Sequence, residues 1–178
     1  MSNIVIRKAK KSDVSGILNV KNTAWKISYK DFFSDESIQK IIHLSNLKIK
    51  QWEEIIENSV CFVAEADGVI VGEITQDVLN EKIQSDIDCE LGTLYVLPDF
   101  QQKKVGTRLF TAFCNEMKEK GFSKMQIWTL LSGMQLPNGS KKKSFSVDFY
   151  LKQGCFLTDK TLLHDYDAAT VCALIKDI

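Results

Sequence analysis

The chain has 178 residues, with 23 basic and 23 acidic side chains and a formal net charge of zero. That balance argues against a broad basic face for nucleic acid. No apolar run approaches the ~20 residues needed to span a membrane. The length fits one domain over residues 1–178, and the 44% hydrophobic fraction is ordinary for a globular protein. Near the N-terminus, Arg7 and Lys8 stand where a signal peptide needs its apolar core, so the cytoplasm is the expected location. The five cysteines (61, 89, 114, 155 and 172) form no C-x-x-C pair and read as buried thiols in a reducing compartment. His43 and His164 lie in no ligand-like spacing with Cys, Asp or Glu, which argues against a metal site.

In chain order, residues 3–8 alternate as a strand. Ser12 or Asp13 is placed to cap a helix carried on by Val14, Ile17, Leu18, Lys21, Ala24 and Trp25. A second helix follows Ser34, and a third spans about 47–57. Residues 60–66 and 69–75 read as strands joined by the hairpin signal Asp67-Gly68. Residues 78–88 read as a loop and 90–97 as a strand. Residues 105–120 read as an amphipathic helix ended by Gly121. A strand over 124–131, a loop over 132–143, a short helix over 144–153 and two strands, 155–163 and 168–176, complete the pattern. The order is that of a mixed α/β domain around one sheet.

Two segments carry the chemistry. Leu94-Tyr95-Val96-Leu97-Pro98 is an apolar strand with a proline stop. It feeds the polar loop Asp99 to Lys104 and the helix start Val105-Gly106-Thr107-Arg108. Free N–H groups at a helix N-terminus are suited to phosphate. Some forty residues on lies Phe149-Tyr150-Leu151-Lys152-Gln153-Gly154, a helix end with a glycine cap. The order and spacing of these segments resemble the GNAT superfamily of acyl-CoA-dependent N-acetyltransferases.

The resemblance implies a GNAT fold: a central sheet of about seven strands, splayed in the middle, flanked by four to five helices. It implies acetyl-CoA as co-substrate and no metal. Leu94, Tyr95 and Val96 would pair with the pantetheine arm. Gln101, Gln102, Lys103, Lys104, Val105, Gly106 and Thr107 would hold the pyrophosphate. Against the family pattern Q/R-x-x-G-x-G/A, Lys104 stands where the first glycine is usual and Gln102 where a glycine is common. If position 104 needs a positive φ, lysine costs on the order of 1 kcal/mol there. Lys103, Lys104 and Arg108 offer positive charge to the phosphates. Lys143 and Ser146 replace an asparagine and an alanine common upstream of the tyrosine, and Asn138 is the nearest substitute for that asparagine.

Acetylation needs a neutral amine, and a primary amine is only about one part in a thousand neutral at pH 7. A base therefore helps. The resemblance points to Glu90, and Glu73 on the neighbouring strand is the second candidate; for either, a solvent-facing strand carboxylate is the plain alternative. Tyr150 matches the tyrosine that protonates the departing thiolate. Trp25 and Tyr29 would wall the acceptor pocket, although core packing is the preferred reading of Trp25, and Trp52 and Trp128 read as structural. The function expected is transfer of acetyl to a small-molecule primary amine by a monomer or homodimer, with no nucleic acid or membrane partner. The alternatives are a protein N-terminal or lysine acetyltransferase and a non-catalytic CoA-binding module.

Overall fold

The computed structural model describes residues 3–79, 81–135, 141–167 and 169–178. Its strands are β1 (Ile4–Lys8), β2 (Cys61–Ala66), β3 (Val69–Asp77), β4 (Cys89–Val96), β5 (Lys124–Gln135), β6 (Lys141–Lys143), β7 (Phe156–Leu163) and β8 (Thr170–Asp177). Its helices are α1 (Val14–Ser28), α2 (Asp35–Asn46), α3 (Ile49–Asn58), α4 (Val105–Glu119) and α5 (Ser146–Lys152). The sheet order is β1-β2-β3-β4-β5-β8-β7, with β6 paired to β5. All pairs are antiparallel except β4 with β5, which α4 connects as a crossover.

Helices cover both faces of this sheet. On one face, α4 buries Val105, Leu109, Phe110, Phe113 and Met117 against Ile74, Leu91 and Ile127. Each of these large side chains contributes roughly 1.5–3 kcal/mol by leaving water. On the other face, Val14, Ile17, Leu18 and Val20 of α1 join Trp52 of α3 over Val63 and Ile70. Farther along the same face Trp25 packs with Phe32, Phe33, Ile38 and Ile42. Because β3 is covered on both sides, its alternation is lost, and residues Ile70 to Thr75 are all buried.

Two expectations are corrected. Asp13 stands at the N-cap of α1 but makes no side-chain cap bond there. Its carboxylate accepts from Arg7 Nη1 at 2.6 Å and from the Lys10 amide at 2.8 Å, and the same guanidinium bridges to Glu65 at 2.6 Å. Residues 132–143 are not loop throughout, since β5 runs on to Gln135 and β6 pairs back onto it. Asn138, the expected substitute, lies outside the described residues.

The feature that shapes the site is in β4. Thr93 pairs with Thr75, but the next pairing is Leu91 with Gln76, so Gly92 is an extra residue, a bulge. A Cβ on Gly92 would lie 2.8 Å from Asp77 Cβ, which explains the glycine. β4 pairs with β5 only at Cys89, Glu90 and Leu91. Beyond the bulge the two strands part, and a cleft opens in the middle of the sheet.

Candidate active site

Backbone groups line that cleft. The Leu97 amide bonds the Val71 carbonyl at 2.9 Å. Bonding alternates along an antiparallel pair, so Tyr95 is spent on Glu73, while Leu94 and Val96 turn their N–H and C=O groups toward the opening. Gln101 reaches into this rim and donates through Nε2 to the Val96 carbonyl at 3.1 Å. Of the three residues expected to face the pantetheine arm, Leu94 and Val96 offer backbone groups, and Tyr95 offers its ring.

At the mouth of the cleft the chain turns into α4. Lys104, its N-cap residue, has φ 61 and ψ 12, and Gln102 has φ 58. Both hold the left-handed conformation for which the family pattern places glycine, and each carries the strain of a side chain there. The N–H groups of Val105, Gly106 and Thr107 open the first turn, where no intrahelical acceptor exists. The side chain of Val105 is buried, fixing the turn to the core. Lys103 and Lys104 are exposed beside it, with Lys103 Nζ 5.2 Å from the Phe100 ring centre. Arg108 donates to the Ile4 carbonyl at 2.9 Å, and the Gln153 amide approaches Thr107 Oγ1 at 3.5 Å. A cleft rim of backbone groups left without a strand partner, leading to a cationic helix start, fits a pantetheine arm ending in phosphates.

Inside the cleft is a cavity of about 140 Å³. Its ring walls are Trp25, Tyr29, Phe33, Tyr95, Trp128, Tyr150 and His164. Trp25 and Tyr29 stack at 4.8 Å, and Tyr29 meets Tyr95 edge-on at 6.2 Å. Trp25 is thus both core and cavity wall. Burial pushes the Tyr29 hydroxyl up to about 12. Tyr150 comes from α5, wedged between Phe110 at 5.9 Å and Phe149 at 5.2 Å. Burial raises its pKa well above the ordinary phenol value, so it keeps its proton.

Glu73 is fully buried, and no lysine or arginine lies within ion-pair distance of it among the described residues. Thr75 and Thr93 each donate a hydroxyl to its Oε2 at 3.0 Å, while Oε1 is buried without a partner. Burial raises its pKa from 4.5 to about 7, with the two hydroxyls and the charge of Lys21 opposing the shift. Glu73 itself does not line this cavity, but its partner Thr93 does.

Glu90 is differently placed. Its Oε2 accepts from Gln126 Nε2 at 2.6 Å, and that amide also bonds the Glu81 carbonyl at 2.8 Å. Burial raises its pKa, but it does not line this cavity. The structure therefore brings Trp25, Tyr29, Tyr95 and Tyr150 around one cavity with Glu73 behind Thr93, and sets Glu90 at the closed end of the cleft.

Sequence reasoning passed over Thr75, Thr93, Trp128 and His164. Trp128 lines the cavity rather than serving the core alone. Neither threonine carries a signal until the register sets both on either side of Glu73. His164 reaches the cavity from the turn between β7 and β8. Its Nδ1 accepts the Tyr166 amide at 3.2 Å, and burial lowers its pKa against the charges of Asp165 and Asp167.

The described residues contain no group of three or more His, Cys, Asp or Glu fit to hold a metal. No described helix is long and apolar enough to cross a membrane.

A mixed sheet opened at its one parallel pair, with a lysine-flanked helix start at the mouth, defines a class of acyl-CoA-binding fold, and comparison with known proteins agrees. The model of the acetyltransferase (GNAT) family matches residues 22–136. The spermidine N(1)-acetyltransferase of Thermoplasma acidophilum is 27% identical over 161 residues, covering 88% of this chain and 90% of that protein. Among solved structures, the PaiA N-acetyltransferase of T. acidophilum, in complex with coenzyme A, matches with a TM-score of 0.73 at 22% identity over 99% of each chain. A GCN5-related N-acetyltransferase from Rhodopseudomonas palustris matches with a TM-score of 0.74 at 16% identity, covering 100% of this chain and 98% of that one. The chain belongs to the GNAT family and is an acetyl-CoA-dependent N-acetyltransferase.

Proposed function

We propose that this enzyme acetylates a primary amine of a small molecule by direct attack in a ternary complex. The observation that carries the reading is Glu73, a buried carboxylate with pKa about 7 and one free oxygen, set behind Thr93 at the cavity wall. A base titrating near the operating pH is the most effective one for removing an amine proton. Because Glu73 does not line the aromatic cavity, the proton path runs through Thr93: its oxygen takes the amine proton as its own hydroxyl proton passes to Glu73. Glu90, tied down by Gln126, is set apart from this path, and the geometry favours Glu73.

Acetyl-CoA supplies the activated acetyl thioester. Leu94 and Val96 orient the arm that carries it, and the N–H groups of Val105, Gly106 and Thr107 with Lys103, Lys104 and Arg108 hold the phosphates. Backbone N–H groups of β4 in the cleft polarise the acetyl carbonyl. In this reading Tyr150, at the cavity wall and protonated at working pH, gives its proton to the leaving sulfur as the intermediate collapses.

A walled cavity of about 140 Å³ suits a small acceptor better than a peptide chain. The relative named for spermidine, itself a small amine, supports the same reading. The test is steady-state kinetics with small amines on the wild type, Glu73→Gln and Tyr150→Phe. Each variant is expected to lose kcat by about 10²–10⁴-fold, with little change in the KM for acetyl-CoA. Unchanged kcat in either variant removes that residue from the mechanism.

A further inference from the structure

On the same sheet face lies a second cavity, of about 170 Å³, that shares the Gly92–Thr93 wall with the first. It is lined by Lys21 from α1, by Lys48, and by Gln51 and Trp52 from α3. Lys21 is set 5.6 Å from the Trp52 ring centre. Burial lowers its pKa, Lys48 adds to the effect, and Glu73 and Asp77 oppose it. Among the described residues neither Lys21 nor Lys48 has an ion-pair partner within 4 Å. A desolvated ammonium group with no counter-ion is costly unless a ligand supplies one. The one carboxylate in the wall, Asp77, accepts the Val78 amide through Oδ1 at 2.7 Å and pairs across the strands with Glu90.

We propose that this second cavity is the anchoring subsite for the acceptor and takes a carboxylate on the acceptor molecule, bound by Lys21 and Lys48. The acceptor class is then a small amine bearing a carboxylate, an ω-amino acid or a diamino acid, rather than a polyamine. The amine end enters the aromatic cavity beside Thr93, and the anionic end lies across the shared wall between the two lysines. Gln51 offers its side-chain amide as a further donor. A polycation would instead bring its second charge against the two ammonium groups.

This rests on the acetyl transfer proposed above, and matched acceptors separate the two ideas. The test measures kcat/KM for 5-aminopentanoate against pentylamine, for lysine against cadaverine, and for spermidine. The carboxylated member of each pair is expected to be preferred by roughly tenfold or more, and spermidine to be poorer than both carboxylated amines. That preference is expected to collapse toward one in Lys21→Met and in Lys48→Glu; Lys48 is exposed, so the second variant is safe for the fold. A preference for the acceptor that lacks the carboxylate, or a preference that survives both variants, overturns the subsite while leaving amine acetylation intact. No turnover with any amine overturns both.

Discussion

Replacing Thr93 with valine keeps the shape of the side chain and removes one of the two hydroxyls that donate to Glu73 Oε2. Those hydroxyls favour the charged carboxylate, so removing one raises its pKa. A hydrogen bond to a charged group is worth about 1.5–3 kcal/mol. At 1.36 kcal/mol per unit this moves Glu73 up by roughly 1–2 units, from about 7 toward 8 or 9. The assay is kcat against pH at saturating amine and acetyl-CoA, followed by reaction of the released thiol with a chromogenic disulfide. The wild type should show an acidic limb with its midpoint near 7. Thr93→Val should move that limb to higher pH and lower the plateau, because the relay is lost as well. Thr93→Ser should restore both. A limb left at the wild-type midpoint in Thr93→Val would refute both the clamp and the relay.

Glu73→Gln should also change stability with pH. The folded pKa is raised from 4.5 to about 7, so below 4.5 the group is protonated in both states and costs nothing. As the pH rises through 7 the native state is penalised by about 3 kcal/mol. Thermal melting should therefore place the variant roughly 6–12 °C above the wild type at pH 8 and level with it near pH 4. Lys104→Gly should relieve the left-handed strain at φ 61, for a net gain of about 0.5–1 kcal/mol after the added entropy of glycine, read as a midpoint rise of 1–4 °C. Tyr150→Phe should keep CoA binding by calorimetry within about twofold while kcat falls, since the ring stays wedged between Phe110 and Phe149. Gly92→Ala should destabilise by roughly 1–3 kcal/mol, because its Cβ would meet Asp77 at 2.8 Å.

Where structure is set locally, the sequence was readable. Pro98 ends β4, Asp67-Gly68 turns the hairpin with φ 49 and 81, and Gly121 and Gly154 end α4 and α5 at φ 89 and 75. The left-handed turn before α4 was readable too, because positive φ at 102 and 104 is a local matter. Register was not readable. The bulge at Gly92 shifts the strand faces by one residue, so alternation across residues 88–96 could not say where Glu90 points. Glu73 read as an outward charge because strand alternation assumes one wet face, while α1 and α3 cover that face of β3. The Thr75–Glu73–Thr93 clamp joins two strands and exists only once they are paired. Residues 132–143 carry glycine, proline and Asn-Gly, all loop signals, yet pairing with β8 and β6 holds β5 in strand form to Gln135.

The most direct test of the account is CoA thiol release from acetyl-CoA by the pure enzyme, with and without a small primary amine, the product weighed by mass spectrometry. Release that depends on the amine, matches the N-acetylated product one for one, and is lost in Glu73→Gln is the predicted result. Bound acetyl-CoA with no amine-dependent release, or full activity in Glu73→Gln, would contradict it.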